Sequence, residues 1–264
     1  MHSDASSTTH TNAPAVAPSS RHVGKIALIT GGARGIGAGI VRRLASEGAH
    51  VVFTYASAEA DAMALVADIE ARGGSASAIA ANSGDREQIR HVVDAVFDRH
   101  ARLDLLVSNA GGGTIKQVAA LSDAEIDRMI DVNIRGTVDV IRFSAPRMAA
   151  GGRIITIGSV TAHFLPDDAS SLYGMTKGAV ATLVRGLGRE LGPRGITINN
   201  VQPGPIDTDA NPADGPAGDT LRNLIPIGRF GTVAEVASLV SYVASEEASY
   251  LNGACLDVDG GYSA

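Results

Sequence analysis

The chain has 264 residues, 45% of them hydrophobic and 19% charged, with a formal net charge of −6. That is the composition of a folded protein of about one large domain, far from the polar, charge-rich profile of disorder. The acidic balance, without any cluster of four or more Lys and Arg, argues against nucleic acid and against an anionic membrane surface as partners.

Residues 1–22 are rich in Ser, Thr, Ala and Pro. They carry neither an apolar core nor an early positive cluster, so they read as a disordered tail and not as a secretory signal. Residues 23–264 then form a single domain. Cys255 is the only cysteine, which rules out an intrachain disulfide and a cysteine metal cluster and fits a reducing compartment. A cytoplasmic location is expected, and no metal. The apolar runs are strand-sized, well short of the roughly 20 residues of a membrane-spanning helix.

From residue 25 onward, short aliphatic runs alternate with stretches of helical periodicity, the pattern of repeated βαβ units. Strands are expected at 25–30, 50–55, 75–80, 103–108, 153–159, 197–201 and 254–258, and helices at 35–47, 58–72, 86–99, 123–148, 171–191 and 233–244. Nearly continuous apolar strands imply helices on both faces. The fold class is therefore α/β: one doubly wound domain around a seven-stranded, mostly parallel sheet.

Between the first strand and first helix lies Thr30-Gly31-Gly32-Ala33-Arg34-Gly35-Ile36-Gly37. Glycines allow a tight turn and close backbone approach, and the helix amino terminus beyond it offers free N–H groups to a pyrophosphate. The spacing is not G-x-G-x-x-G, and such turns also serve packing. The second strand ends Phe53-Thr54-Tyr55-Ala56-Ser57, without the Asp or Glu that would accept from a ribose 2′-hydroxyl. NAD is thereby disfavoured. Arg34 suits a 2′-phosphate bidentately, with Ser57 as a second contact; its alternative reading is a solvated loop charge.

Further along stand Asn82-Ser83 after the third strand, Asn109-Ala110-Gly111 after the fourth, Asn133 in the long helix and Ser159 at the end of the fifth strand. Tyr173-Gly-Met-Thr-Lys177 opens the next helix, where a spacing of four puts Tyr173 and Lys177 on one face. A nearby ammonium stabilises a phenolate, so the pair is equipped for acid/base work. Taken singly, the pair could be surface packing, Ser159 a turn cap and Asn133 a buried amide. Residues 203–226 break the alternation: five prolines counting Pro203, with Asp207, Asp209, Asp214 and Asp219, mark a long loop at a strand carboxyl end.

In this order and spacing, these motifs resemble the short-chain dehydrogenase/reductase family, from about residue 24 to the closing Asp259-Gly260-Gly261. The resemblance implies a Rossmann-type fold and an NADP(H)-dependent oxidoreductase that interconverts a carbonyl and a secondary alcohol, with NADP(H) favoured over NAD(H). It implies Tyr173 as general acid/base, Lys177 as its cationic neighbour and grip on the nicotinamide ribose, Ser159 as orienter of the substrate oxygen, and Asn133 as a local interruption of its helix that holds a relay water. Cofactor contacts are expected from Gly31, Arg34, Gly35, Ile36, Gly37, Tyr55, Ser57, Asn82, Ser83, Asn109, Ala110, Gly111, Tyr173, Lys177, Pro203, Gly204, Ile206 and Thr208. Asn82 stands where the family usually has an Asp for the adenine amino group. His163, Phe164 and Met175 are expected around the substrate.

Many relatives are 3-oxoacyl carrier-protein reductases, but the acidic loop after Pro203 is a poor dock for an acidic carrier. The stretch 202–216 also resembles members described as biofilm-dispersal mediators that bind cyclic di-GMP, which makes a nucleotide-binding or signalling protein on this scaffold the second reading. The family further implies a small-molecule substrate and a homotetramer built partly from the helices at 123–148 and 171–191.

Overall fold

The computed structural model describes residues 20–264. Of the stretch read as a tail, 1–19 lie outside the described residues, but its last residues belong to the domain. His22 is 1% exposed, its N–H donates to the Glu47 carbonyl at 2.9 Å, and its ring lies 3.4 Å from the Glu47 carboxylate. Composition gave no sign of this docking, because it depends on where the end of a distant helix falls.

The first half runs β1 (Ile26–Ile29), α1 (Gly35–Ser46), β2 (His50–Tyr55), α2 (Glu59–Ala71), β3 (Ser75–Ala80), α3 (Arg86–His100) and β4 (Leu105–Ser108). Then follow α4 (Asp123–Met129), α5 (Gly136–Ser144), β5 (Arg153–Ile157), α6 (Ser171–Leu191), β6 (Thr197–Pro203), α7 (Gly218–Leu224), α8 (Val233–Val243) and β7 (Cys255–Val258). The seven strands form one sheet in the order β3-β2-β1-β4-β5-β6-β7, and every pairing is parallel.

Side chains alternate across this sheet, as the pleat requires. Ala27 and Ile29 of β1, Val51 and Phe53 of β2, Leu105 and Val107 of β4 face a layer with α1, α2 and α8. Leu28, Val52, Leu106 and Ile154 face the opposite layer with α3, α5 and α6. Both faces being covered explains why the strands read as unbroken apolar runs. The chain leaves β1 toward β2 and β3, then returns to place β4 on β1's other side. The connections on the two sides of β1 therefore diverge, and a crevice opens at the carboxyl ends of β1 and β4.

The helix expected at 123–148 is interrupted at Ile130–Arg135 by a π turn, whose extra residue per turn widens the helix at Asn133, where the family resemblance implies a local interruption. It closes at Ala145–Arg147 in a 3₁₀ turn containing Pro146. The loop at 203–226 is partly ordered: β6 continues through Pro203, and α7 occupies Gly218–Leu224.

Candidate active site

The strand ends open into a cleft of about 1220 Å³. On its floor the glycine turn is bolted to both neighbouring strands. Gly31 N–H donates to Thr54 Oγ1 at 3.0 Å, the Asn109 and Ala110 N–H groups donate to Thr30 Oγ1, and Asn109 Nδ2 donates to the carbonyls of Thr30 and Gly31. Asn109 is thus a clamp on the turn. Gly31 and Gly35 have φ of +66° and +53°, which side chains rarely adopt. At Gly37 the constraint is space, since a Cβ would stand 2.2 Å from the Gly31 carbonyl oxygen.

Arg34 precedes α1 without a side-chain cap on the helix, and the first turn holds no acidic residue. Gly35, Ile36 and Gly37 line the cleft there. A helix start without a side-chain cap or acidic group, cradled by glycines, suits a pyrophosphate through its N–H groups and dipole.

Tyr55, Ser57, Asn82 and Ser83 line one end of the cleft together with Arg34. The lining from the end of β2 (Thr54, Tyr55, Ala56, Ser57, Ala58) contains no carboxylate. The Arg34 side chain is 62% exposed, with Nε 3.8 Å from the Asp61 carboxylate. Asn82 folds onto its own turn: Oδ1 accepts from Gly84 N–H at 3.0 Å and its N–H donates to Gln88 Oε1 at 2.8 Å. Asp127, Arg128 and Asp131 also line the cleft, the last of these paired with Arg135. Nothing in the sequence marked these residues, because only the packing of α4 and the π turn after it brings them to the cleft.

At the other end stand Ser159, Tyr173 and Lys177. Lys177 is 5% exposed, its Nζ donates to the Ile157 carbonyl at 2.9 Å, and it lies 5.7 Å from the centre of the Tyr173 ring. Ser159 caps the turn at Val160–Ala162, and Oγ accepts from Thr161 N–H at 3.2 Å and from Thr161 Oγ1 at 2.9 Å. Both of its lone pairs are engaged, which leaves the hydroxyl proton for a substrate oxygen. Capping the turn therefore does not use up the hydroxyl's donor. Gly113 passes so near Tyr173 that a Cβ would meet ring carbon Cδ2 at 2.6 Å. The run Gly111-Gly112-Gly113 was the available signal for this close approach.

Asn133 stands behind the cleft wall, 2% exposed. Its Oδ1 accepts from Gly112 N–H at 3.0 Å, and Nδ2 donates to the Gly112 carbonyl at 2.9 Å and to Thr176 Oγ1 at 3.0 Å. Its own carbonyl accepts from Thr137 Oγ1 at 2.9 Å.

The structure brings Pro203, Gly204 and Thr208 to the cleft but not Ile206. Ile206 is 4% exposed, belongs to the core layer of α1 and α8, and pairs with Gly231 in an isolated bridge. Its side chain is taken up by that core layer, whereas Gly204 and Thr208, two residues to either side, line the cleft. His163, Phe164 and Met175 are likewise not in the cleft lining. His163 contacts Gln202 and Asp257, Phe164 packs edge-on against Tyr262, and Met175 is half exposed. Among the described residues no group of three or more His, Cys, Asp or Glu is arranged to hold a metal ion. No described helix is long and apolar enough to cross a membrane.

Residues 31–263 match the family model described as enoyl-(acyl carrier protein) reductase. A protein of Escherichia coli named cyclic-di-GMP-binding biofilm dispersal mediator protein is 44% identical over 241 residues, covering 91% of this chain and 98% of its own. Among solved structures, a short-chain dehydrogenase/reductase from Serratia marcescens superposes with a TM-score of 0.91 at 44% identity, covering 92% of this chain and all of its own. A short chain dehydrogenase from Burkholderia cenocepacia, solved in complex with NADP, gives 0.90 at 44% identity over the same shares.

Proposed function

The chain belongs to the short-chain dehydrogenase/reductase family, and from that premise we propose that it is an NADP(H)-dependent oxidoreductase interconverting a carbonyl and a secondary alcohol. One observation carries the reading: a glycine cradle at an uncapped helix start and a Ser159–Tyr173–Lys177 group line the two ends of one cleft. The residues present fit the dinucleotide. The turn from Gly31 to Gly37 would hold the pyrophosphate, Arg34 and Ser57 the 2′-phosphate, Asn82 and Ser83 the adenine side, and Lys177 the nicotinamide ribose. The absence of a carboxylate at the end of β2 and the presence of Arg34 favour NADP(H) over NAD(H), in line with the NADP complex of the Burkholderia relative. When bound, the dinucleotide supplies hydride to the carbonyl carbon.

The chain's own side chains handle the oxygen. Ser159 donates its free proton to the substrate oxygen and orients it, and Tyr173 delivers a proton to that oxygen as charge develops there. Lys177, held by the Ile157 carbonyl one helical turn from Tyr173, places its ammonium beside the phenol that gives up the proton. In the reverse direction Tyr173 takes the proton back. Asn133 keeps the Gly112 segment in place against Tyr173.

We further read the protein as a cytoplasmic homotetramer assembled partly through α4, α5 and α6; a light-scattering mass four times the 26.9 kDa chain supports this, and a monomer refutes it. The name of the Escherichia coli relative makes cyclic di-GMP a necessary arm of the functional test. Purified protein is titrated with NADPH, NADH and cyclic di-GMP, then assayed for NADPH oxidation with a panel of ketones, diketones and aldehydes. Tight NADPH binding and carbonyl-dependent oxidation support the reductase. Binding of cyclic di-GMP without turnover of any carbonyl overturns it.

A further inference from the structure

We propose that Thr176 is a positioning residue for the reaction, a role that rests on the function proposed above. Its side chain is wholly buried between Tyr173 and Lys177 in sequence and joins the catalytic helix to Asn133. The hydroxyl accepts from Asn133 Nδ2 at 3.0 Å and donates to the Tyr173 carbonyl at 2.8 Å. Asn133 in turn grips both backbone groups of Gly112. A Cβ placed on Gly111 would lie 3.2 Å from both Asn133 Oδ1 and Lys177 Nζ, so the amide and the ammonium flank the same glycine.

These contacts form one continuous connection: the Gly112 backbone, the Asn133 amide at the π turn, the Thr176 hydroxyl, and the first turn of α6 that carries Tyr173 and Lys177. Each amide hydrogen of Asn133 has one acceptor, and its oxygen has its donor, so the amide has a single satisfied orientation. Without the Thr176 hydroxyl one buried N–H loses its acceptor, and the Tyr173 carbonyl loses a donor. The Asn133 amide is then free to turn, and α6 is no longer tied to the segment that passes over the Tyr173 ring. Displacement of about 1 Å at a reacting group can lower a rate about 100-fold. Thr176 touches neither the cleft nor a reacting atom, so it acts through the placement of Tyr173, whose carbonyl it holds, while the cofactor's pyrophosphate and adenine contacts are left as they are.

The test compares Thr176→Val, which keeps shape and removes the hydroxyl, with Thr176→Ser, which keeps the hydroxyl, in the full-length protein. Thr176→Val is expected to lower kcat about 10- to 100-fold, with KM and the dissociation constant for NADPH within about twofold of wild type. Thr176→Ser restores kcat to within about threefold. If Thr176→Val does not fold, Thr176→Cys, whose thiol is a weak donor and acceptor, carries the same expectation. Wild-type kcat in the Val variant, or equal losses in Val and Ser, overturns the assignment while the reductase reading stands. A wild type that binds NADPH but reduces no carbonyl overturns the function and this assignment with it.

Discussion

Arg34→Ala is the perturbation that isolates the choice of cofactor. The guanidinium is 62% exposed and its nearest carboxylate, on Asp61, is 3.8 Å away. A charge-assisted hydrogen bond contributes roughly 1.5–3 kcal/mol. Exposure reduces this, since unit charges about 4 Å apart attract by about 1 kcal/mol in water and about 4 at an effective dielectric of about 20. Arg34 must also leave Asp61, an exposed pair worth less than about 1 kcal/mol. The net loss for NADPH is about 1–2 kcal/mol, or roughly 5- to 30-fold in affinity, with NADH unchanged. Fluorescence titration of both nucleotides at low and high salt reads this directly. The wild-type preference for NADPH should shrink with salt, because so exposed a pair is screened. Asp61→Asn should act in the opposite sense and tighten NADPH. Equal weakening of NADPH and NADH in Arg34→Ala would refute the reasoning, because Arg34 would then be supporting the glycine turn and not the 2′-phosphate.

Gly37→Ala forces a methyl to 2.2 Å from the Gly31 carbonyl oxygen and 2.6 Å from Asn109 Nδ2. Overpacking of this kind costs about 1–3 kcal/mol, so NADPH affinity should fall at least about tenfold and Tm by several degrees; wild-type affinity in a binding titration would show that the turn yields. Acid stability should decline in two stages. Burial holds His22, His50 and His100 below the ordinary imidazole range, so the unfolded chain takes up protons first and stability drops as pH falls below about 6.5. Glu125 and Glu235, which close the capping boxes of α4 and α8, are held down to about 2, chiefly by Lys116 and Arg229. Their contribution, present above about 4.5, is lost as pH falls toward 2. Denaturant unfolding followed across pH checks this, and His100→Gln should flatten the first stage; a flat profile between pH 7 and 5 would contradict it.

The sheet was legible because strands covered on both faces must be apolar throughout, as in the run from Leu105 to Val107, whose three residues serve two core layers. The glycine turn was legible because Gly31 and Gly35 do what other residues rarely can. What escaped depends on register and tertiary contact. The interruption of the long helix at Asn133 was legible through the family resemblance, but the partners of its amide, Gly112 and Thr176, lie 21 and 43 residues away and were not. Ile206 was expected at the cleft with Gly204 and Thr208, but its side chain is taken up by the core layer of α1 and α8, a tertiary contact with no local signal in this Pro- and Asp-rich stretch. Helix α7 was hidden by the same prolines. His22 docks onto Glu47 at the far end of α1, a contact that a Ser- and Pro-rich neighbourhood gives no means to foresee.

The central claim is that one cleft binds NADPH at the glycine turn and uses Tyr173 to protonate a carbonyl oxygen. Its most direct test is Tyr173→Phe, with NADPH affinity and carbonyl-dependent NADPH oxidation measured on the same preparations as wild type. The account predicts NADPH affinity close to wild type and turnover reduced by about 100- to 10,000-fold. Turnover that survives the loss of the phenol, or a loss of NADPH binding that accounts for the whole effect, would contradict it.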